Sequence, residues 1–206
     1  MITLYGKAAS RTARNLWALE ELGVPYKHVP YDYLKGETKT PEFLAINPAG
    51  KVPALTDGNV VMTESLGMNL YIAHTYGQGK LWPDDQAGRA KCIQWTLWAA
   101  TELEPSAAGR LIQLVLTPEA NRDAKAVEGF AEKSKLALNT LNAALTRSPY
   151  LAGNAFSVAD LNVSAVTEYL QRTKFDLTPW PHVQKWLAEC LSRPANQKVN
   201  EMKKAA

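Results

Sequence analysis

The chain has 206 residues, 46% of them apolar and 21% charged, with a net charge of +3 and a pI near 8.8. That length suits one large domain or two small ones, and the composition is that of a globular protein. The positive charge is mild and evenly spread, with no basic cluster beyond Lys203-Lys204, which speaks against nucleic acid, and no run of about 18 apolar residues is available to span a membrane. The opening Met-Ile-Thr-Leu-Tyr-Gly lacks the basic-then-apolar pattern of a signal peptide. Cys92 and Cys190 are far apart, each in a helical pattern, so they make neither a disulfide framework nor a metal site. They read as reduced, buried thiols of a cytoplasmic protein.

Residues 2–5 form a short strand ended by Gly6, and residues 7–10 a loop. Over residues 11–22 the apolar positions Leu16, Trp17, Leu19 and Leu22 recur at helical spacing, and Gly23 with Pro25 ends the helix. Residues 26–31 read as an edge strand, because Pro30 has no amide to donate. A polar loop over residues 32–40 leads to a short helix over 41–44. Strands at 54–56 and 60–63 flank Asp57-Gly58-Asn59, a hairpin signal, and a helix runs over 65–76. The order β-α-β-α-β-β-α implies one parallel pair with a right-handed crossover and an antiparallel pair.

Strand signals stop after the Gly- and Pro-containing stretch 77–85. A long helical pattern covers residues 87–116, with Pro105 as a kink, and Pro118 fits the first turn of a helix reaching residue 145. Ser157 and Asp160 have capping-box spacing before a helix to residue 173, with Phe156 and Leu161 placed as a hydrophobic staple. Residues 181–192 form the last firm helix, and residues 201–206 read as a loose tail.

Two stretches carry candidate chemistry. Val52-Pro53 precedes a strand, and X–Pro is where a cis peptide is cheap. A cis bond there would turn the Val52 backbone outward to pair with an extended, peptide-like ligand. Glu64-Ser65 opens a helix, where free N–H groups and the helix dipole attract a carboxylate. Ser10 lies at the carboxyl end of the first strand, the ligand end of parallel α/β units. Its hydroxyl reads either as a helix cap or as a donor to a ligand thiolate, whose pKa of about 8.5 such a donor would lower. No His and acid stand near it for a serine hydrolase, and no C-x-x-C is present for a dithiol centre.

Residues 4–14 (LYGKAASRTAR), 41–55 (PEFLAINPAGKVPAL) and 63–74 (TESLGMNLYIAH) resemble the amino-terminal half of a glutathione transferase of the cytosolic, serine-type branch, phi-like or bacterial. Residues 150–161 (YLAGNAFSVADL) and 179–194 (PWPHVQKWLAECLSRP) resemble that family's helical half. The resemblance implies an α/β thioredoxin-like domain with a mixed four-stranded sheet over residues 1–77, a linker at 78–86 and an all-helical domain over 87–206. It implies a homodimer using reduced glutathione as cosubstrate and no metal. By position, Ser10 matches the catalytic hydroxyl, with Tyr5 and Thr12 as alternates. Val52 matches the residue whose backbone pairs with the cysteinyl part, and Pro53 the cis proline. Glu64 and Ser65 match the pair holding the γ-glutamyl end, and Lys39 and Lys51 the positions that bind the glycyl carboxylate. Asp160 matches a structural capping position. Where bacterial relatives often carry Cys, this chain has Ser10, which favours thiolate stabilisation over thiol exchange.

Trp95, Trp98 and Glu102 fall on one helical face. With Ala8 and Ala9 of the first loop, Trp98 and Glu102 could line a pocket for a small hydrophobic electrophile; the alternative is core or dimer contact. The expected activity is conjugation of the glutathione thiolate to such electrophiles. The alternatives are glutathione-dependent peroxide or disulfide reduction at the same site, or a non-catalytic binding or assembly module.

Overall fold

The computed structural model describes residues 1–205. Its residues divide into two compact units: Met1–Leu81 together with the segment from Ser192 onward, and Trp82–Leu191.

In the first unit, strands β1 (Ile2–Tyr5), β2 (Tyr26–Val29), β3 (Ala54–Asp57) and β4 (Val60–Met62) form one sheet in the order β2-β1-β3-β4. β1 and β2 are parallel, with Ile2 opposite Tyr26; β3 runs antiparallel to both β1 and β4. Strand β2 is an edge and stops at Val29, one residue before Pro30. Alternation along β1 buries Ile2 and Leu4 on one face and turns Tyr5 to the other. There Tyr5 lies 6.2 Å from the Tyr31 ring, which in turn lies 4.8 Å from Phe43 of helix α2 (Pro41–Ile46). Helix α1 (Thr12–Leu22) ends at Gly23 in the left-handed conformation, and α3 (Ser65–Tyr76) packs beside it. The hairpin closes through Gly58-Asn59, with Gly58 at φ +56°.

Residues 201–205 belong to a helix rather than a loose tail, and Ala206 lies outside the described residues. Helix α9 (Pro194–Ala205) lies on α1. Arg193 pairs with Glu21, and Lys198 reaches Glu20 at 2.6 Å; Glu20 also accepts from the Tyr26 hydroxyl at 2.6 Å. Burial beside that carboxylate pushes the Tyr26 phenol well up. The expectation of a frayed end failed because only Val199 and Asn196 of α9 are buried. The helix is held by charges on α1, not by an apolar stripe of its own.

The second unit is helical: α4 (Gln86–Trp98), α5 (Glu104–Leu111), α6 (Ala124–Leu145), α7 (Val158–Arg172) and α8 (Pro181–Leu191). The long pattern expected over 87–116 is interrupted by two π-helical turns, Ala99–Leu103 and Ile112–Leu116. Pro105 explains the first: it has no N–H for the Thr101 carbonyl, so the ladder slips to a wider register before it. Pro118 does not open α6. It precedes a short 3₁₀ turn, Glu119–Asn121, and Asp123 caps α6 by accepting from Ala126 N at 3.0 Å. Helix α7 is the centre of this unit, buried at every position from Val158 to Thr167. Both cysteines are buried and unbridged, and burial pushes the Cys92 thiol up. No helix among the described residues is long and apolar enough to cross a membrane.

Candidate active site: the first unit's loops and the start of α3

The loop after β1 is stitched down before it reaches Ser10. Gly6 N donates to Val29 O at 2.8 Å and Lys7 N to Tyr31 O at 3.0 Å. His28 Nε2 lies 2.7 Å from Gly6 O; a carbonyl only accepts, so that nitrogen carries the proton. Lys7 Nζ pairs with Asp32 Oδ1 at 3.0 Å and sits 5.2 Å over the Tyr33 ring, which holds the Asp32 carboxyl below its usual range. Gly6 is at φ +125°, and a Cβ there would lie 2.7 Å from the Val52 Cβ. The first loop and the Val52 segment therefore approach as closely as a backbone without side chain permits.

Ser10 is half-buried, one residue before the Arg11 cap position of α1, and its Oγ accepts from Thr12 N at 3.1 Å. It also donates to Lys7 O at 2.8 Å and meets Thr12 Oγ1 at 2.8 Å. A hydroxyl has one hydrogen. With that hydrogen on Lys7 O, fully buried Thr12 must be the donor to Ser10. The capping reading thus has its bond, made from the position before the cap, and the same hydroxyl keeps one hydrogen, which it gives to Lys7 O. Tyr5 turns elsewhere, its hydroxyl 3.4 Å from Thr56 Oγ1, a diagonal neighbour on the same sheet face.

Val52-Pro53 is a cis peptide. Among the described residues, the Val52 N–H and C=O have no hydrogen-bond partner, although Pro53 and Ala54 beside it are buried. The approach to Val52 is shaped by Asn47, 5% exposed: its Oδ1 accepts from Ala49 N at 3.1 Å and its Nδ2 donates to Lys51 O at 2.6 Å. Lys39 Nζ donates to Gly50 O at 3.4 Å, over a glycine at φ +59° whose Cβ would lie 3.0 Å from Thr38 O. Lys39 and Lys51 are both exposed and flank this one loop. Asn47 was not singled out from the sequence, although Asn-Pro ahead of a Gly is a turn signal that could have found it.

Glu64 is the cap residue of α3, held at φ 64°, ψ 96°, a region L-residues rarely enter. Its side chain makes no capping bond, and the first turn of α3 carries no acid. Ser65, 5% exposed, opens the helix. Beneath it lies a buried polar network from α1 and α3 that sequence reading also missed: Arg14, Asn15 and Asn69, 4%, 0% and 0% exposed. Asn15 and Asn69 sit in phase with buried Leu19, Leu66 and Ile72, and that phase was the available signal.

In the second unit, Trp98 meets buried Trp95 edge-on at 5.0 Å and, with exposed Glu102, lines a surface hollow of about 340 Å³. Thr101, Pro105, Lys133 and Leu136 are among its other lining residues. The π-helical turn between Trp98 and Glu102 leaves both on that hollow. Ala8, buried, and Ala9, exposed, belong to the first unit and are not among its lining residues. Among the described residues, no group of three or more His, Cys, Asp or Glu is disposed to hold a metal ion.

Residues 1–74 match the family pattern described as the glutathione S-transferase N-terminal domain, and residues 106–194 the pattern of its C-terminal domain. The chain is 34% identical over 202 residues to the glutathione S-transferase GstB of Escherichia coli K12, covering 97% of each. It is 37% identical over 207 residues to a probable glutathione S-transferase, GSTF2, of Oryza sativa, covering 98% of this chain and 96% of the relative. A solved theta-class glutathione S-transferase of Xanthomonas axonopodis pv. citri, with glutathione bound, superposes with a TM-score of 0.89 at 32% identity over 96% of each chain. Nearly full coverage at these identities, on top of the matching sheet and helical halves, makes this chain a member of the glutathione S-transferase family.

Proposed function

We propose that the protein is a glutathione transferase in which reduced glutathione lies along Val52, its sulfur at Ser10, its γ-glutamyl end at Glu64 and Ser65, and its glycyl carboxylate at Lys39 and Lys51. The observation that carries this reading is the Val52 backbone: one donor and one acceptor without protein partners, beside a cis proline and under a glycine loop. A tripeptide satisfies both with main-chain hydrogen bonds. Its ends then meet charges of the right sign, since a γ-glutamyl group carries an ammonium and a carboxylate and the other terminus a carboxylate.

On binding, the Ser10 hydrogen leaves Lys7 O for the thiolate, and Thr12 goes on donating to Ser10. Each donor in that short chain favours the anion over the thiol. The thiol proton goes to solvent, and the thiolate forms a carbon–sulfur bond with a small hydrophobic electrophile while the leaving group departs with its electron pair. Catalysis comes from holding a ready thiolate beside its acceptor. Trp98 and Glu102, on the hollow of the second unit, are the candidate contacts for the electrophile, and no metal takes part. The working form is a cytoplasmic homodimer; exposed Ile93 and Leu97 on α4 support the pairing.

The test is Ser10→Ala. A hydrogen bond to a charged group is worth about 1.5–3 kcal/mol, so the bound thiol pKa should rise by about 1–2 units, read from thiolate absorbance and from the pH dependence of conjugation. An unshifted profile removes Ser10 as the activator. Comparing an aryl halide, an isothiocyanate, a hydroperoxide and a small disulfide separates conjugation from reduction. No uptake of reduced glutathione by calorimetry would leave only the binding-module alternative.

A further inference from the structure

Ser65 is held from below by a cation. Arg14 is 4% exposed, and its guanidinium donates to Ser65 Oγ at 3.1 Å. Asn15 Nδ2 donates to Ser65 O at 2.8 Å and to Asn69 Oδ1 at 2.7 Å, and Asn69 Nδ2 donates to Arg14 O at 3.2 Å. The orientations are over-determined. Arg14 O can only accept, so Asn69 presents its nitrogen there and its oxygen to Asn15. Asn15 must then use its nitrogen for both Ser65 O and Asn69. Its Oδ1 is left as the one buried side-chain polar atom without a partner among the described residues. An orphan of this kind costs stability and is tolerated here, directly under the start of α3.

Hydrogen counting gives this network a direction. A guanidinium never accepts, so Ser65 Oγ receives from Arg14 and its single O–H hydrogen points away from Arg14. A hydroxyl that accepts from a cation is also a stronger donor in its turn. The same side chain keeps a positive charge under the first turn of α3, where the macrodipole already favours an anion and no acidic side chain competes in the helix itself.

We infer that Arg14 is a positioning residue for the α-carboxylate of the γ-glutamyl group, acting through Ser65 by committing its hydroxyl to donate. This rests on the glutathione reading of the site. It separates Ser65 and Arg14, which would read the carboxylate, from Glu64, whose negative charge suits the neighbouring ammonium.

The experiment compares glutathione with its analogue lacking only the α-carboxylate, γ-aminobutyryl-cysteinyl-glycine, as thiol substrates of the full-length protein and its Arg14→Lys and Ser65→Ala variants. Wild type should show a higher KM for the analogue. Arg14→Lys should raise KM for glutathione about ten- to a hundredfold, the weight of one charge-assisted hydrogen bond, with kcat at saturation nearly unchanged and KM for the analogue unmoved. Ser65→Ala should give the same ligand-selective loss, and it carries the test if Arg14→Lys does not fold. The double variant should be no worse than the worse single one. An equal rise in KM for both thiols would show a merely structural role and overturn the inference. A wild type that does not distinguish the two thiols at all would overturn the assignment of the γ-glutamyl end itself.

Discussion

Two helix starts in this molecule use buried polar groups in opposite ways. At the start of α7, the chain supplies its own anion. Asp160, fully buried, accepts from Leu151 N at 2.9 Å, Ser157 N at 3.0 Å, Ser157 Oγ at 2.9 Å and Trp186 Nε1 at 3.0 Å. Burial pushes this carboxyl up, and the four donors hold it back down. At the start of α3, the cap side chain bonds nothing, the backbone at Glu64 is strained, and Arg14 feeds Ser65 from below. The first arrangement is closed, so it stabilises the fold. The second leaves donors unspent at a helix start that has no acid of its own, which is what the proposed glutathione site uses. A capping box and the proposed ligand site are thus the same device with and without an internal carboxylate.

The contrast predicts opposite phenotypes. Asp160→Ala leaves three buried N–H donors without an acceptor and should lower stability by about 3–5 kcal/mol in urea unfolding, with KM for glutathione unchanged in the folded fraction. A loss under about 1 kcal/mol would mean the closed arrangement is not what holds α7. Glu64→Gly should do the reverse. Glycine enters φ 64° freely, so stability should stay level or rise by up to about 1 kcal/mol. KM for glutathione should meanwhile rise about tenfold or more as the proposed partner of the ammonium disappears. A variant losing stability but not affinity would refute the strain reading.

A third polar cluster marks the lower end of the scale. Asp57, in the β3–β4 hairpin, accepts from Tyr71 at 2.9 Å and from the exposed Tyr76, and lies 3.7 Å from the amino terminus. The Tyr76 hydrogen bond, first, holds the Asp57 carboxyl below its ordinary 3.8, and the same bond pushes the Tyr76 phenol up to about 12. A depressed carboxyl stabilises the fold above 3.8 and loses that contribution as pH falls through its folded value. A raised phenol stabilises below its ordinary 10.0 and loses it as pH climbs toward about 12. Tyr76→Phe should therefore cost about 0.5 kcal/mol or less at neutral pH, because Tyr76 is exposed. The gap from wild type should close at both extremes; a gap independent of pH would mean that only packing is lost.

The alternating burial of β1, the hairpin around Gly58, the α3 boundaries and the Ser157–Asp160 box were all legible, because each rests on neighbours within a few residues. The docking of α9 was not. Its partners Glu20 and Glu21 lie more than 170 positions away in the chain, and its own sequence has no apolar stripe to announce it. The π-helical turns were hidden because a slipped ladder changes the period that the reading assumes. The polar face of α1 was hidden for a different reason: Thr12, Arg14 and Asn15 are residue types common on a solvent face, yet they are buried.

From its residues alone the chain announces a βαβ unit followed by a hairpin, a helical second half, and a set of candidate site residues drawn from separate stretches. Local hydrogen bonding and side-chain period suffice for that. Folding alone decided that the Ser10 proton rests on Lys7 O with Thr12 behind it, that the Val52 main chain stands unpaired, and that Ser65 is fed by a buried arginine. The last joins groups 51 positions apart in the chain, and even for the local Ser10 bonds the direction is set by the assembled network of donors and acceptors.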